Sequence, residues 1–263
     1  KEEVKTLGVL DLFRLDGKTA LVTGGGRGLG EQIAEGLAEA GANVVVCSRK
    51  LEACQKVSQR LEEMGVRSMA FRCDITNPDD ITRVVEETVQ HFGTIDILVN
   101  NSGATWGAKV EDMPLEAWQK VINTNVTGTF LMSQAVGKVM IAQGGGKIIN
   151  IASVAGLGGV DPRVMNTIGY NTSKGAIITF TKDLAVKWGP HGITVNAIAP
   201  GFFPTKMSKV ILQYAGDYIA GNTPLRRLGT GKDLKGVAVF LASEASAFVT
   251  GDTIIVDGGS HAM

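Results

Sequence analysis

Hydrophobic and polar residues alternate along the chain in two rhythms. Short runs rich in Val, Ile and Leu are separated by longer stretches in which apolar residues recur every three or four positions. The short runs are typical of buried parallel strands, and the longer stretches are typical of helices that cover a sheet. Seven strands are predicted, at Ala20–Thr23, Val44–Cys47, Met69–Cys73, Ile95–Val99, Lys147–Ile151, Thr194–Ile198 and Thr253–Val256. Six helices are predicted between them, at about 28–40, 51–64, 78–92, 115–142, 170–188 and 231–242.

This order predicts an α/β fold with a doubly wound, seven-stranded parallel sheet and helices on both faces. Two stretches fall outside the alternation, residues 154–169 after the fifth strand and about 202–223 after the sixth. Both follow the carboxyl end of a strand, where open α/β sheets bind ligands, so we expect them to shape a substrate site. Pro200 and Gly201 suit a bend beside a ligand, and residues 202–223 are therefore predicted to form a mobile lid. No repeat or linker indicates a second domain, so residues 1–263 are expected to form one domain.

Composition narrows the class of function. The 26 Lys and Arg residues balance 26 Asp and Glu residues, which leaves no long-range field to attract a nucleic acid, and no nucleic-acid partner is predicted. No apolar stretch approaches the roughly 20 residues that span a bilayer, so no membrane partner is predicted. The three cysteines lack C-x-x-C spacing and are typical of buried thiols in a reducing compartment. We therefore predict a cytoplasmic protein with no metal site.

A glycine-rich turn follows the first predicted strand. It reads Thr23-Gly-Gly-Gly-Arg-Gly-Leu-Gly30 and leads directly into a predicted helix. Glycines at these positions let the backbone turn tightly and point its N–H groups at a pyrophosphate near a helix N-terminus. The strand, turn and helix together predict a Rossmann-type dinucleotide site that includes Gly24, Arg27, Gly28, Leu29 and Gly30.

The end of the second predicted strand indicates which dinucleotide binds. An acidic residue at this place would bind the ribose 2′-hydroxyl of NAD, but the chain has Ser48 followed by Arg49. A serine hydroxyl and the guanidinium groups of Arg49 and Arg27 can hydrogen-bond a 2′-phosphate with the help of charge. The pattern favours NADP(H). The alternative is that both arginines are solvated surface residues.

Tyr170 and Lys174 are four residues apart at the start of a predicted helix, so their side chains lie on one face. A phenol with an ordinary pKa near 10 is a poor acid or base at neutral pH, and a neighbouring ammonium group lowers that pKa. The pair is a candidate for proton transfer. By itself, however, Y-x-x-x-K spacing also occurs by chance in many helices.

Further motifs follow the predicted strands in order. They are Asp74 after the third strand, Asn100-Asn-Ser-Gly103 after the fourth, Asn125, Ser153 after the fifth, Tyr170-Asn-Thr-Ser-Lys174, Pro200-Gly201 and Asp257-Gly-Gly259. With the glycine-rich turn, they resemble the short-chain dehydrogenase/reductase family over about residues 15–259. The resemblance implies one dinucleotide-binding and catalytic domain that transfers hydride between NADP(H) and a carbonyl or secondary alcohol.

The resemblance also implies a role for each matching residue. Tyr170 would protonate the carbonyl oxygen, or act as the base in the reverse direction, while Ser153 would hold that oxygen. Lys174 would lower the pKa of Tyr170 and bind the nicotinamide ribose, and Asn125 would anchor a water that relays protons to Lys174. Further cofactor contacts are implied at the strand ends, for Asp74, Ile75, Asn101, Gly103, Pro200, Gly201 and Thr205. Asp74 is also expected to begin a turn.

The substrate is left open. Residues 103–107 and 203–207 resemble the bacterial β-ketoacyl (acyl-carrier-protein) reductases, including the rhamnolipid-linked one, and gluconate 5-dehydrogenase-like members. The candidates are therefore a β-ketoacyl thioester, with the acyl carrier protein left open as a partner, and a polyol or keto-sugar acid. An apolar stripe in the lid fits an acyl chain, and equally fits packing of the lid on the body; it comprises Phe202, Phe203, Met207, Val210, Ile211, Tyr214 and Tyr218.

Two departures from the family pattern concern the same region. Ser102 stands where the family more often has Ala, and the step of 17 residues from Ser153 to Tyr170 is longer than the usual spacing. The longer step is expected to change the wall of the substrate pocket and leave the chemistry unchanged.

The resemblance implies a homotetramer, which apolar positions at 130–132, 177–180 and 248–256 support. A serine hydrolase is a poor alternative, because the residues around Ser153 lack the glycines of a nucleophile elbow. A non-catalytic NADP-binding regulator on the same fold is a second alternative. Such a binder would have no use for the tyrosine acid.

Overall fold

The computed structural model of the protein describes residues 8–263. It contains one sheet of seven parallel strands in the order β3-β2-β1-β4-β5-β6-β7. The strands are β1 (Thr19–Thr23), β2 (Asn43–Ser48), β3 (Ser68–Arg72), β4 (Ile97–Asn100), β5 (Gly146–Ile151), β6 (Ile193–Pro200) and β7 (Thr253–Val256). The predicted doubly wound Rossmann fold is confirmed.

Helices connect successive strands on both sides of the sheet. They are α1 (Gly28–Glu39), α2 (Leu51–Glu63), α3 (Pro78–Phe92), α4 (Leu115–Ile122), α5 (Gly128–Gln143), α6 (Ile168–Trp188), α7 (Lys209–Asn222) and α8 (Gly231–Ala242). The single helix predicted at 115–142 is divided by a π-helical turn at Asn123–Thr127. Such turns insert one extra residue and are frequent at functional sites. Helix α7 occupies most of the segment that was predicted to be a lid, whose motion stays a prediction.

The sheet is buried on both faces because successive strand residues point to opposite sides. Val44 and Val46 of β2 lie in one apolar core with residues of α1, α2 and α8. Val45 and Cys47, which alternate with them, lie in a second core with residues of α3, α5 and α6. This two-sided burial explains why the strands read as unbroken apolar runs and do not alternate with polar residues.

The strand order places a crevice at the carboxyl edge of the sheet. From the central strand β1 the chain winds outward first through β2 and β3, and then, on the other side, through β4 to β7. The connections on the two sides of β1 therefore diverge above its carboxyl end, and ligands of open α/β sheets bind at such a point. The glycine-rich turn, Ser48, Asn101 and Ser153 all follow strands at this edge.

The predictions about membrane spans, metal sites and cysteines can be compared with the structure. No helix within residues 8–263 combines the length and the apolar character needed to cross a membrane. Over the same residues, His, Cys, Asp and Glu side chains form no group of three or more that could hold a metal ion. Cys47, Cys54 and Cys73 are buried free thiols, as their apolar surroundings predicted.

Candidate active site

The turn between β1 and α1 needs glycine where its backbone is left-handed and where other atoms approach it closely. Gly24 and Gly28 have φ angles of 65° and 59°, in the left-handed region that favours glycine. A Cβ on Gly30 would overlap the side-chain nitrogen of Asn101 and the carbonyl oxygen of Gly24. A Cβ on Gly28 would lie 3.6 Å from Cγ2 of Thr205, so the start of the predicted lid lies beside the turn. The turn leads into the N-terminus of α1, where backbone N–H groups can bind a pyrophosphate.

Asn101 and Thr23 hold this turn against the loop after β4. The Asn101 side chain donates to the carbonyl oxygens of Thr23 at 3.0 Å and of Gly24 at 3.2 Å. The Thr23 hydroxyl accepts from the backbone N–H groups of Asn101 and Ser102, both at 3.0 Å. Asn101 was predicted to contact the cofactor, and that contact stays a prediction. Thr23 was not singled out as a site residue, although it is the polar residue that opens the glycine motif.

At the end of β2, the hydroxyl group of Ser48 lies between Lys50 and Cys54. Its oxygen accepts from the backbone N–H of Lys50 at 3.2 Å, and it lies 3.1 Å from Sγ of Cys54. Arg27, which precedes α1, and Arg49, which follows β2, are both exposed. The arginine ion pairs found within residues 8–263 do not include either of them. Their positive charge is therefore available to an anionic ligand at this edge.

Asp74 follows β3 and forms the turn that the sequence predicted. Its carboxylate accepts from the backbone N–H of Thr76 at 3.0 Å and from the Thr76 hydroxyl at 2.8 Å. Burial raises the pKa of the Asp74 carboxyl, but hydrogen bonds from Thr76 and the charges of Arg49 and Arg72 outweigh burial and hold the pKa below its ordinary value. Ile75 beside it is buried. The predicted cofactor contacts of both residues stay predictions.

Tyr170 and Lys174 lie in the first turns of α6, beside the end of β5. Nζ of Lys174 lies 5.6 Å from the centre of the Tyr170 ring, and it donates to the carbonyl oxygen of Ile151, the last residue of β5, at 2.5 Å. Ser153 lies two residues beyond the end of that strand and is buried. The structure thus brings together the tyrosine, the lysine and the serine that the sequence predicted to act on one carbonyl group.

Burial shifts the pKa values of the tyrosine and the lysine toward their neutral forms. Burial raises the pKa of Tyr170 above 10, and hydrogen bonding with Ser153 lowers it in part. Burial lowers the pKa of Lys174 to about 8. At neutral pH Tyr170 therefore carries its proton and Lys174 is mostly charged, which suits proton donation to a carbonyl. The predicted lowering of the Tyr170 pKa by Lys174 is opposed here by burial and stays a prediction.

Asn125 lies in the π-helical turn and is 1% exposed. Its side-chain oxygen accepts from the backbone N–H of Ala104 at 2.7 Å, while its nitrogen donates to the Ala104 carbonyl at 2.9 Å and to the Ser173 hydroxyl at 2.8 Å. A Cβ on Gly103 would lie 3.4 Å from the Asn125 oxygen and 4.0 Å from Nζ of Lys174, so this glycine lies close to both. These hydrogen bonds of the Asn125 amide are all to other groups of the protein. The predicted water that relays protons to Lys174 stays a prediction.

Two loops form one wall of the crevice. The backbone N–H of Ala108, in the loop after β4, donates to the carbonyl oxygen of Asn166 at 2.9 Å. Asn166 lies in the connection between β5 and α6. This is the connection that the step of 17 residues from Ser153 to Tyr170 makes longer than usual. Trp106 in the first loop is 46% exposed. The extra residues therefore support the loop that carries a large exposed aromatic side chain.

The apolar stripe of the predicted lid divides into a buried part and an exposed part. Phe203 is buried and belongs to the apolar core. Val210, Tyr214 and Tyr218, at i, i+4 and i+8 on one face of α7, are 63–69% exposed. Packing of the lid on the body thus accounts for Phe203. Val210, Tyr214 and Tyr218 remain available to a ligand or partner. Gly201 lies so close to Asp257 that a Cβ would be 2.7 Å from the Cβ of that residue, which explains the glycine at the bend.

A separate groove of about 640 Å³ lies between the segment that follows α7 and the end of β7. Phe202, Leu225, Arg227 and Ile255 are among its lining residues. It contains none of the residues that were predicted to be catalytic.

Comparison with known proteins adds a relationship over almost the whole chain. The family described as Enoyl-(Acyl carrier protein) reductase matches residues 24–261. The chain is 39% identical to the gluconate 5-dehydrogenase of Gluconobacter oxydans over 254 residues, which cover 95% of this chain and 96% of that protein. It is 37% identical to the 3-oxoacyl-(acyl-carrier-protein) reductase of Aquifex aeolicus, with coverage of 94% of this chain and 98% of that protein.

Solved structures show the same relationship. A short-chain type dehydrogenase/reductase from Mycobacterium marinum has a TM-score of 0.92 at 40% identity, covering 96% of this chain and 99% of that one. A gluconate 5-dehydrogenase from Burkholderia cenocepacia, solved in complex with NADP and tartrate, has a TM-score of 0.92 at 38% identity. That match covers 97% of this chain and 100% of the other.

Proposed function

Because the chain belongs to the short-chain dehydrogenase/reductase family, we propose that it uses NADP(H) to reduce a ketone, with a β-ketoacyl thioester as the leading substrate class. The protein is an oxidoreductase of that family. The observation that carries the proposed reaction is the convergence of Ser153, Tyr170 and Lys174 at the carboxyl end of β5. A hydroxyl that holds an oxygen, a protonated phenol and an ammonium group are what the reduction of a carbonyl requires of a protein.

The residues at the crevice fit NADP(H). The space at Gly30 leaves no room for a side chain, and such close backbone approach suits a pyrophosphate. Ser48 stands where a carboxylate would select NAD. Arg27 and Arg49 are exposed and form no ion pair within residues 8–263, so their guanidinium groups can bind a 2′-phosphate. The Burkholderia gluconate 5-dehydrogenase, which is similar over the whole chain, binds NADP. These four residues would hold the dinucleotide at its phosphate groups.

The chain's own residues would then control one proton. The nicotinamide supplies or accepts the hydride when it is bound. Ser153 would hold the carbonyl oxygen by hydrogen bonding, and Tyr170 would give that oxygen its proton. Lys174 would orient the ribose and place a positive charge beside the phenol, which favours loss of the phenol proton. The roles proposed for these residues rest on their common position at the end of β5.

The exposed apolar rim supports a substrate with an apolar chain. Trp106 and the α7 residues Val210, Tyr214 and Tyr218 offer large exposed apolar surfaces. Their segments follow the carboxyl ends of β4 and β6, the edge of the sheet at which the crevice lies. Apolar surfaces with few convergent polar groups are typical of sites for apolar ligands. The alternative is a keto-sugar acid or polyol, which the names of several relatives support, including a 2-dehydro-3-deoxy-D-gluconate 5-dehydrogenase from Bacillus subtilis at 41% identity.

A panel of carbonyl compounds with NADPH tests the proposal. We expect β-ketoacyl thioesters to oxidise NADPH with a higher kcat/KM than 5-ketogluconate or aryl ketones, because the rim gains contact with the acyl chain. Turnover confined to keto-sugar acids would select the alternative substrate class. Binding of NADPH without turnover of any compound would instead favour a regulator. The loss of absorbance as NADPH is oxidised measures each rate.

We also propose a cytoplasmic homotetramer. Exposed apolar side chains on two separate elements support association, since Phe130 on α5 is 45% exposed and Phe248 before β7 is fully exposed. Large exposed apolar residues in a chain whose sheet is already covered by helices indicate contact with other copies.

Light scattering at micromolar concentration is expected to give a mass of four chains of 27.7 kDa each. Phe248→Ser removes an apolar group of the proposed contact and is expected to shift the mass toward smaller species. Gln55→Ser on α2, which replaces an exposed polar side chain and removes no apolar group, is the control and should leave the mass unchanged. A wild-type protein that is monomeric under these conditions would refute the proposal.

A further inference from the structure

We propose that Ser173 is a positioning residue for the catalytic tyrosine. It lies outside the set of Asn125, Ser153, Tyr170 and Lys174, and it would act through the backbone of Tyr170 without touching the substrate. The inference rests on the proposed function, because it concerns the geometry of the proton donor in that reaction. Its evidence is a continuous set of hydrogen bonds between the loop after β4 and the first turn of α6.

The Ser173 side chain joins two segments of the site. Its hydroxyl donates to the carbonyl oxygen of Tyr170 at 2.7 Å and accepts from the side-chain nitrogen of Asn125 at 2.8 Å. Ser173 is fully buried, at 0% exposure, so water does not compete for either bond. A hydroxyl group has one proton to donate and two lone pairs to accept, so both bonds form at the same time.

Asn125 extends this connection to the wall of the crevice. Its amide binds both the N–H and the carbonyl of Ala104, at 2.7 and 2.9 Å, and these two contacts fix the plane of the amide group. Two residues further along the same loop is Trp106, and beyond it Ala108 donates to Asn166 ahead of α6. The loop that carries Trp106 is therefore tied to the segment of Tyr170 at both of its ends.

The start of α6 needs such a connection. Thr167, at the N-cap of the helix, accepts no hydrogen bond from the backbone N–H groups of the first turn, although its hydroxyl donates to the side chain of Asn171 at 2.9 Å. Tyr170 is only the third residue of the helix. The first turn of a helix has unpaired N–H groups and frays more easily than its middle. Displacement of a catalytic group by about 1 Å can lower a rate by as much as about 10². A buried bond to the carbonyl of Tyr170 restrains the backbone at the point where the phenol must be placed.

A purely structural role for Ser173 predicts a different result. Serine hydroxyls often bond to a carbonyl three or four residues earlier in a helix, without any function. In that case removal of the hydroxyl would lower stability and leave the kinetics of the folded enzyme unchanged. The proposed role instead requires a loss in the chemical step while binding of the cofactor is retained.

Ser133 provides the matched control. It is a second buried serine, 1% exposed, whose hydroxyl accepts from the side-chain nitrogen of Asn100 at 2.9 Å. Ser133→Ala and Ser173→Ala each remove one hydroxyl that is bound to an asparagine amide in the interior. Only the second change breaks a connection to Tyr170, so a comparison of the two variants separates positioning from general loss of a buried hydrogen bond.

The experiment measures kcat, KM for NADPH and the primary isotope effect with deuterated NADPH on a ketone that the wild type reduces. For Ser173→Ala we expect kcat to fall about 5- to 50-fold, KM for NADPH to stay within about twofold, and the isotope effect on kcat to rise as the chemical step becomes rate-limiting. Ser133→Ala is expected to lose stability to a similar degree and to keep wild-type kinetics. Ser173→Cys, which keeps a donor at the same place but bonds more weakly, is expected to give an intermediate kcat and serves if the alanine variant does not fold.

The inference is overturned if Ser173→Ala keeps the wild-type kcat and isotope effect, or if Ser133→Ala loses kcat to the same extent. Those outcomes would leave the proposed function intact, because the wild type would still reduce the ketone with NADPH. Absence of NADPH-dependent turnover in the wild type itself would overturn both.

Discussion

Replacing Tyr170 by Phe is expected to lower kcat by about 10² or more, the usual scale of general acid catalysis. The substitution removes only the hydroxyl group and leaves the aromatic ring in its place beside Lys174. Folding and the affinity for NADPH should therefore stay nearly unchanged. Steady-state rates on a ketone that the wild type reduces, together with a fluorescence titration of NADPH, measure both quantities. A Phe variant that kept most of its activity would contradict the assignment of the proton donor.

The companion substitution Lys174→Ala should have two effects. It should weaken cofactor binding, because the proposed contact with the ribose is lost. In the direction of alcohol oxidation, it should also move the pH limb of Tyr170 to higher pH, because the positive neighbour that favours the phenolate has gone. If the limb stayed in place, Lys174 would have no part in setting the pKa of the tyrosine.

The pH dependence of ketone reduction follows from the buried lysine. Burial lowers the pKa of Lys174 to about 8, so its ammonium form is present below that pH and is lost as the pH rises through it. Tyr170 keeps its proton over the same range, because burial raises its pKa. We therefore expect kcat/KM to be nearly constant at neutral pH and to fall above pH of about 8. This fall in kcat/KM for ketone reduction at high pH should be absent in the Lys174→Ala variant.

Replacing Arg49 by Asp is expected to change the cofactor preference from NADPH to NADH. The substitution removes an exposed guanidinium that forms no ion pair within residues 8–263 and puts in its place a negative charge that repels a 2′-phosphate. A hydrogen bond between charged groups contributes about 1.5–3 kcal/mol, so kcat/KM with NADPH should fall by roughly 10- to 100-fold. With NADH it should hold or rise, because the new carboxylate can accept from the ribose hydroxyl.

Lys138→Asp is the control for this change. Lys138 is exposed near the end of α5, which leads into the start of β5 at the edge of the sheet opposite the crevice, and its substitution alters the net charge by the same amount. It should leave the ratio of kcat/KM for the two cofactors as in the wild type. A wild-type kcat/KM with NADH that equals or exceeds the value with NADPH would refute the prediction, because Arg49 would then not favour NADPH.

Several parts of the protein were determined by local sequence. The inner strands were found because residues buried on both faces of a sheet form apolar runs, as those of β1, β2 and β4 do. The edge strands β3 and β7 are only partly buried and were found from shorter apolar runs. The cofactor turn was found because Gly24 and Gly28 need φ angles that other residues rarely adopt. The spacing of Tyr170 and Lys174 could be read directly, because a helix places residues four apart on one face.

Other parts depend on contacts between segments that are distant in the chain, and no local pattern contains them. The π-helical turn at Asn123–Thr127 interrupts a stretch whose periodicity predicted one helix, because an inward Asn125 satisfies the backbone of Ala104 and the hydroxyl of Ser173. The pKa of Lys174 follows from burial against β5, and the exposure of Tyr214 and Tyr218 follows from how α7 lies on the body. The sequence by itself thus determined the elements and the chemical groups at their ends. Only the tertiary structure decided which polar groups pair and which are desolvated, because pairing and burial depend on residues brought together by the whole fold.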